Sequence, residues 1–344
     1  MASNENVLMR DVAQRAGVGV ATVSRALSGA PGVSPVTRAR IQEIARAMGY
    51  VVSPEASRLA KGVTGRVAVV VPHVSRWFFG AVVEGIERVL GPTGTDVLLY
   101  QVPDEASRHR FFSELPARRK VDGAIVVGIP IDTDEERALH TLGVQIVTVS
   151  GIIVSGRGDT SVFPSVRVDD AAAARQAAAH LLALGHRRIG VIGSREPTIP
   201  EWFVDIPRAQ GFSEALTEAG HPLEPEMIVN VDWNPENAAR AAGRLLSASP
   251  PPTAVFAHSD ELAVAVMRTI RRAGLRVPED ISVMGVDDHP IAALTDLTTI
   301  AQPAAEQGEE AATMMLDLLA GRETETQVLL PTMLVPRGST ARPR

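Results

Sequence analysis

Asp11-Val12-Ala13-Gln14-Arg15-Ala16-Gly17-Val18, followed by Thr22-Val23-Ser24-Arg25-Ala26-Leu27, is the stretch that decides how this chain begins to fold. Val12, Ala13 and Ala16 recur at i, i+1 and i+4, which puts one apolar stripe on a short helix. Gly17 ends that helix, because glycine accepts the positive φ that a sharp turn needs. In the next segment Val20, Val23 and Leu27 repeat at helical spacing. That repeat turns Val20 inward with the other two and leaves Ala21, Thr22, Ser24 and Arg25 outward. A third helix follows Ser34, an N-cap, with Pro35 at its first position. Its apolar stripe reads as Val36, Ile41, Ile44, Ala45 and Met48. Two helices this short cannot bury a core alone, and the third closes it. The spacing predicts an all-α helix-turn-helix head, the geometry that lays one helix in a DNA groove.

Working outward, 344 residues exceed one ordinary core, so more than one domain is expected. An apolar content of 45% with 22% charged residues describes a soluble globular protein. No apolar run reaches about eighteen residues, so no membrane partner is expected. Charged residues from Glu5 onward leave no room for a signal core, and cysteine is absent. Both features point to a cytoplasmic protein. The net charge of −6 hides an asymmetry: residues 1–62 hold eight basic against four acidic groups, and the rest 26 against 36. A basic head on an acidic body is what phosphate binding by the head alone requires.

From Arg66 the pattern changes. Val67-Ala68-Val69-Val70-Val71 is a continuous run of the kind found in parallel strands covered on both faces. Strands are expected at Asp96–Gln101, Gly123–Val127, Gln145–Ser150, Arg188–Ile192, Met227–Val231, Ala254–Ala257 and Ile281–Val286. Helices alternate with them, at Ala81–Leu90, around Arg108–Leu115, and at Asp134–Leu142, Ala171–Leu184, Arg208–Ala219, Pro235–Ser247 and Glu261–Ala273. Such alternation predicts an α/β body of two similar lobes with parallel sheets, and a ligand cleft at the carboxyl ends of the strands. The domain reading is a head at 1–52, a hinge helix and linker at 53–64, and a body at 65–344. The lobes divide as 65–165 with about 302–327, and 166–301 with about 328–344. Ser53 to Gly62 could form about two helical turns, too few to be stable alone in water.

With these residues in hand the chain resembles the lactose/galactose repressor (LacI/GalR) family of bacterial transcription regulators. The resemblance covers nearly the whole sequence. It rests on the head motif above, on Val33-Ser34…Thr37-Arg38 and on Gly49-Tyr50. In the body it rests on Gly185-His186-Arg187-Arg188-Ile189-Gly190, Gly211-Phe212, Asp280-Ile281-Ser282-Val283, Gly285-Val286-Asp287-Asp288 and Leu297-Thr298-Thr299-Ile300. It implies a type I periplasmic-binding-protein-like body and a homodimer on double-stranded, pseudo-palindromic operator DNA. Val20 and Ala21 match the family's specificity positions and Arg25 its base-reading arginine, while Thr22 and Ser24 face phosphates or bases. An arginine can grip guanine O6 and N7, and small apolar side chains can meet thymine methyls. In the hinge, Ala56 and the apolar wedge Leu59 match the segment that enters the minor groove. Two positions depart from the family pattern: Leu8 and Gly19 stand where hydroxyl residues are usual. Fewer phosphate contacts are expected there, with Arg10 or Arg15 compensating. The chain lacks a heptad tail at its end, which fits a dimer.

Family members bind a small metabolite between the lobes. Arg208 and Asp287 match the family's ligand-binding arginine and aspartate; by position Trp77, Phe78 and Phe79 after the first body strand, Ser259 and Asp260 after Ala254–Ala257, and Trp202 in the loop before Arg208 are expected at the same cleft. Aromatic faces stack on sugar C–H surfaces or on heterocycles, and an arginine with a carboxylate can bracket vicinal hydroxyls. Asp260 could instead cap the helix that starts there. The expected effector is a small carbohydrate whose binding releases the repressor. The alternatives are a nucleoside or other metabolite acting as co-repressor, and a sugar-binding protein without regulatory DNA binding. An enzyme is not expected. There is no Gly-x-Ser-x-Gly elbow, phosphate loop or His-Glu-x-x-His, the eight histidines show no i, i+4 pair, and neither cofactor nor metal is called for. His258-Ser259-Asp260 is no triad, because adjacent residues on an extended chain cannot converge.

Overall fold

A computed structural model describes residues 7–50, 63–151, 153–154, 163–195 and 206–344. The chain divides into two compact units, Met1–Gly65 and Arg66–Arg344. In the first, α1 (Met9–Ala16), α2 (Val20–Ser28) and α3 (Pro35–Ala47) close over Val12, Ala13, Ala16, Val23, Ala26, Ile41 and Ala45. Gly17 takes φ 67°, and Val18 N–H reaches back to the Ala13 carbonyl, so the turn is closed by backbone alone. Ser34 caps α3 by accepting from Thr37 N–H at 3.2 Å, with Pro35 first in the helix.

Leu8 has no side-chain acceptor to give α1. Asp11 compensates from inside the helix, its carboxylate accepting the Leu8 N–H at 2.8 Å. Two apolar expectations fail. Val20 is 47% exposed and Val36 80% exposed, while Ala26 takes the buried place. Each valine lies in the first turn of its helix, where the stripe has not yet rotated onto the core.

The body follows as β1 (Arg66–Val71), α4 (Trp77–Leu90), β2 (Asp96–Gln101), α5 (Glu105–Glu114), β3 (Gly123–Val127), β4 (Ile131–Asp132), α6 (Thr133–Leu142), β5 (Gln145–Val149), β6 (Ile153–Val154) and β7 (Ser165–Val168). It continues as α7 (Asp170–Leu184), β8 (Ile189–Arg195), α8 (Ile206–Glu218), β9 (Ile228–Asp232), α9 (Pro235–Leu246), β10 (Ala254–Ala257) and α10 (Asp260–Arg272). The last elements are β11 (Ser282–Asp287), α11 (Pro290–Leu294), β12 (Thr298–Ala301), α12 (Ala304–Leu319), β13 (Gln327–Leu330) and β14 (Met333–Val335). The first lobe holds the sheet β13-β7-β5-β3-β1-β2 and the second the sheet β14-β12-β11-β10-β8-β9. The pairings are parallel apart from β14 on β12.

Alternation along each strand sends side chains to both faces. In the first lobe Val67, Val69 and Val71 meet α4 and α12 on one side, while Ala68 and Val70 meet α5 and α6 on the other. In the second lobe α9 and α10 cover one face and α7 and α8 the other. The strand pairings put the crossings between lobes after Val168, after Ala301 and after Leu330. The sequence reading divided the lobes at 165, 301 and 327; β7 and β13 each add a short strand to the first sheet before the chain crosses. α12 was absent from that reading altogether. No described helix is long and apolar enough to cross a membrane.

Candidate functional site

The head offers a surface built from the start of α2. Ala21 and Arg25 are exposed beside Val20, and Thr22 and Ser24 are half-buried. Arg25 Nε donates to the Ala21 carbonyl at 3.2 Å, which lays its side chain back along the helix surface. Gly19 caps α2 without a side-chain hydrogen bond, and its carbonyl accepts from Thr22 N–H at 2.9 Å. Two arginines of α3 serve the head's own structure. Arg38 Nη2 donates to Ala30 O at 2.7 Å, and its Nη1 lies by the Ala26 and Arg25 carbonyls at 3.4 and 3.5 Å. Arg40 donates to the Ala16 carbonyl. Cations at these C-terminal ends satisfy orphan carbonyls and complement the helix dipoles. The head's basic charge is therefore not all available to phosphate. Ala56 and Leu59 lie outside the described residues.

The second candidate site lies where the lobes meet. It holds a cavity of about 680 Å³ at the crossings, lined by Trp77, Asp287, Gln302 and Thr332 among others. Trp77 stands in the first turn of α4, which begins four residues earlier than its apolar repeat indicates. The aromatic triplet is thus helical, and Trp77 alone of the three reaches the cavity wall. Phe78 and Phe79 pack edge to face, ring centres 5.4 Å apart, against the first-lobe core. Gly128 makes room for Phe79, since a Cβ there would stand 2.5 Å from Cε1.

Asp287 ends β11 with φ at 126°, and Asp288 follows at 55°. Two successive non-glycine residues with positive φ store strain, of the kind concentrated at ligand sites. The Asp287 carboxylate accepts from Gln302 Nε2 at 2.6 Å. Burial pushes it up to about 7, opposed by the charge of Arg208. Asp260 is fully buried, accepting from Thr299 Oγ1 at 2.6 Å and His289 N–H at 2.9 Å. Burial, then the charge of Asp287, pushes it up to about 8.

Asp260 is not the cap that the sequence allowed. Ser259 caps α10, accepting from Leu262 N–H at 3.2 Å, and Asp260 is the first helical residue. Both are buried behind the cavity instead of lining it. Gly285 makes this possible, because a Cβ there would fall 2.1 Å from Asp260 Oδ1. Arg208 is held on α8 by Asp170 and by the His258 carbonyl. Trp202 lies outside the described residues.

Residues that the sequence reading missed bridge the two lobes. The Arg76 guanidinium, before α4, stands over the Trp233 ring at 5.2 Å, and Trp233 Nε1 donates to Glu261 at 2.8 Å. Burial lowers Arg76 to about 10, so it remains a cation at neutral pH. The Trp77 ring lies 5.3 Å from that of His289. Burial lowers the His289 pKa, and its Nδ1 accepts the Ile291 N–H, which marks Nδ1 as unprotonated. Trp233 follows strand β9 at its C-terminal end, and that position is the signal by which it could have been found.

A helix-turn-helix head followed by a two-lobed body with an interlobe cavity defines a DNA-binding regulator that answers to a small molecule. Comparison with known proteins agrees. The family "Bacterial regulatory proteins, lacI family" matches residues 8–53, and the "Periplasmic binding protein-like domain" matches 178–340. The HTH-type transcriptional repressor CytR of Escherichia coli K12 is 33% identical over 340 residues, 96% of either chain. The lac repressor dimer bound to operator and the anti-inducer ONPF superposes with a TM-score of 0.83 at 25% identity, covering 98% of this chain and 100% of that one. The CelR–cellobiose complex gives 0.71 at 31% identity, covering 97% and 99%. The chain belongs to the LacI family of bacterial transcriptional regulators, a family of DNA-binding proteins and not of enzymes.

Proposed function

We propose that this protein is a homodimeric repressor in the bacterial cytoplasm. It holds a pseudo-palindromic operator through the α2 helices of its two copies and releases it when a small carbohydrate enters the interlobe cavity. The observation that carries the reading is the cavity at the crossings: it joins an aromatic face, Trp77, to hydrogen-bonding groups, Asp287 and Gln302, from the other lobe and from the segment that crosses between the lobes. An aromatic wall with a few convergent polar groups is the composition of a small-molecule site, and it suits the C–H face and the hydroxyls of a sugar. The bound cellobiose of the related CelR protein supports the same class of ligand.

On the DNA side, Val20, Ala21 and Arg25 supply the base contacts and Thr22 and Ser24 flank them. Exposure of Val20 strengthens that assignment, because an inward valine could not meet a thymine methyl. Ala56 and Leu59 supply the minor-groove contacts, and Trp202 a second stacking wall. Among the residues read as effector-binding, Trp77 and Asp287 touch the ligand directly. Arg208, with Asp260 behind, shapes the charge around them, and Phe78, Phe79 and Ser259 hold the walls.

The test is a gel-shift with genomic fragments, combined with thermal shift against mono- and disaccharides and nucleosides. A carbohydrate that both stabilises the body and releases DNA bears the reading out. A nucleoside that instead tightens DNA binding replaces it with co-repression, and DNA binding indifferent to every compound removes it.

A further inference from the structure

We propose that Asp170 is a positioning residue that restricts the effector to uncharged molecules, by holding and neutralising Arg208. The proposal rests on the cavity between the lobes being the effector site. Arg208 Nη2 and Nε both donate to Asp170 Oδ1, at 2.6 and 3.2 Å, and Nη1 donates to the His258 carbonyl at 2.6 Å. Three bonds from two elements fix the plane of the guanidinium, so its orientation does not depend on a ligand.

The backbone reinforces this arrangement. α8 lies so close to α7 that a Cβ on Gly211 would stand 2.5 Å from the Ala171 carbonyl, which keeps Arg208 one turn away in register with Asp170. The side chain of Arg208 is 11% exposed and that of Asp170 28%, so the pair is partly open to solvent and not sealed in the core.

The charges around Arg208 give the selectivity. An isolated arginine in a cleft attracts phosphates and carboxylates, because a buried guanidinium gains most from a charged partner. Here Asp170 already supplies that partner, its carboxylate 2.6 Å from Arg208 Nη2. An anionic ligand would meet a guanidinium whose charge is already paired, with a carboxylate beside it. An uncharged polyol displaces no counter-charge and needs only hydrogen bonds. Asp170 also opens α7, directly after the chain crosses from the first lobe, so the anchor of Arg208 sits on a crossing between lobes.

The test uses inorganic sulfate as the anion, since its charge is constant over the pH range of the protein. Calorimetric titration of the full chain should give little or no sulfate binding in the wild type. Asp170→Asn should bind sulfate at least about tenfold more tightly, the scale of removing one nearby unit charge at a partly solvated site. The gain should vanish in Asp170→Asn/Arg208→Gln. Asp170→Ser, smaller and equally uncharged, serves as the second variant, with melting temperature checked for each.

No gain in either single variant overturns the proposal, and so does a gain that survives loss of Arg208. Failure of the effector reading would look different: no carbohydrate would act on wild type or variant, while the sulfate result would be unchanged.

Discussion

Arg25 and Arg38 are both exposed or half-exposed arginines of the head, yet the structure gives them opposite work. Arg25 lies along α2 with its end directed away from the core, whereas Arg38 is spent on the carbonyls that close α2. Arg25→Ala should cost about 1–3 kcal/mol on the cognate operator and relax preference at one base pair, leaving the melting temperature unchanged. Arg38→Ala should destabilise the head by about 1–2 kcal/mol through lost capping bonds, and weaken cognate and scrambled DNA alike. Binding of both variants to both DNAs, beside a melt, checks the pair; equal losses on the two DNAs for Arg25→Ala would make it a phosphate clamp.

Asp287 offers a second test at this scale. Its folded value of about 7 stands above the ordinary 3.8, so ionisation is costlier in the native state than in the unfolded chain. Below about pH 4 both states are protonated and the group contributes no difference; as pH rises to about 7 the native state loses stability, and above that the loss is constant. Asp287→Asn, which keeps the bond from Gln302, should remove that slope. Urea midpoints of wild type and variant between pH 4 and pH 8 check it, and a pH-independent difference would contradict the assignment. The motif in sequence pointed to Asp287 and Arg208 but not to Trp233 or Asp170. Trp233 meets Arg76 from the other lobe and Asp170 meets Arg208 from the neighbouring helix, and no local spacing encodes either pairing.

Elements were legible to the degree that they were apolar and long. The run Val67–Val71 and the strand Ala254–Ala257 are continuous apolar stretches with both faces covered, so no rival reading competed. α12 escaped because much of its buried stripe is small, Ala304, Gly308, Ala311 and Ala312, with the polar Gln307 among them, which leaves Met314 and Met315 too little to mark a period. The structure explains why they are small. Gly308 on α12 and Gly85 on α4 face each other's helix, where added Cβ atoms would stand 2.1 Å from Val82 O and 2.0 Å from Ala305 O. The two backbones touch, and closeness replaces side-chain volume. Gly308→Ala should therefore lower stability by about 1–3 kcal/mol or more, as overpacking forces the helices apart. Gly243→Ala, in a helix with nothing within 4 Å of the new methyl, should instead gain up to about 1 kcal/mol. Thermal melts of both should move in opposite directions. β7 and β13 escaped for another reason, since four-residue strands with polar members give too short a pattern to separate from loop.

At the scale of the whole molecule, the body is one α/β unit cut into two lobes by crossings at Val168, Ala301 and Leu330, and the candidate cavity sits on those crossings. A ligand there touches both lobes and the strands that join them, so it can favour one relative arrangement over another. It can shift that balance only by the difference in its affinity for the two arrangements. Arg76 over Trp233 and Trp77 against His289 join the lobes across the cleft. A sugar in the cavity would act on lobes joined by these contacts, beside the strained and buried Asp287. If operator affinity falls tenfold to a hundredfold on saturation with sugar, the coupling is about 1.4–2.8 kcal/mol, which is within what one carboxylate with two hydroxyl contacts can supply. Asp287→Ala should then fold, bind operator as the wild type does and ignore the inducing carbohydrate. DNA titrations of wild type and variant with and without that sugar decide it. A variant released at an unchanged sugar concentration places the ligand elsewhere. A variant that loses operator binding without sugar shows that Asp287 holds the DNA-bound arrangement itself.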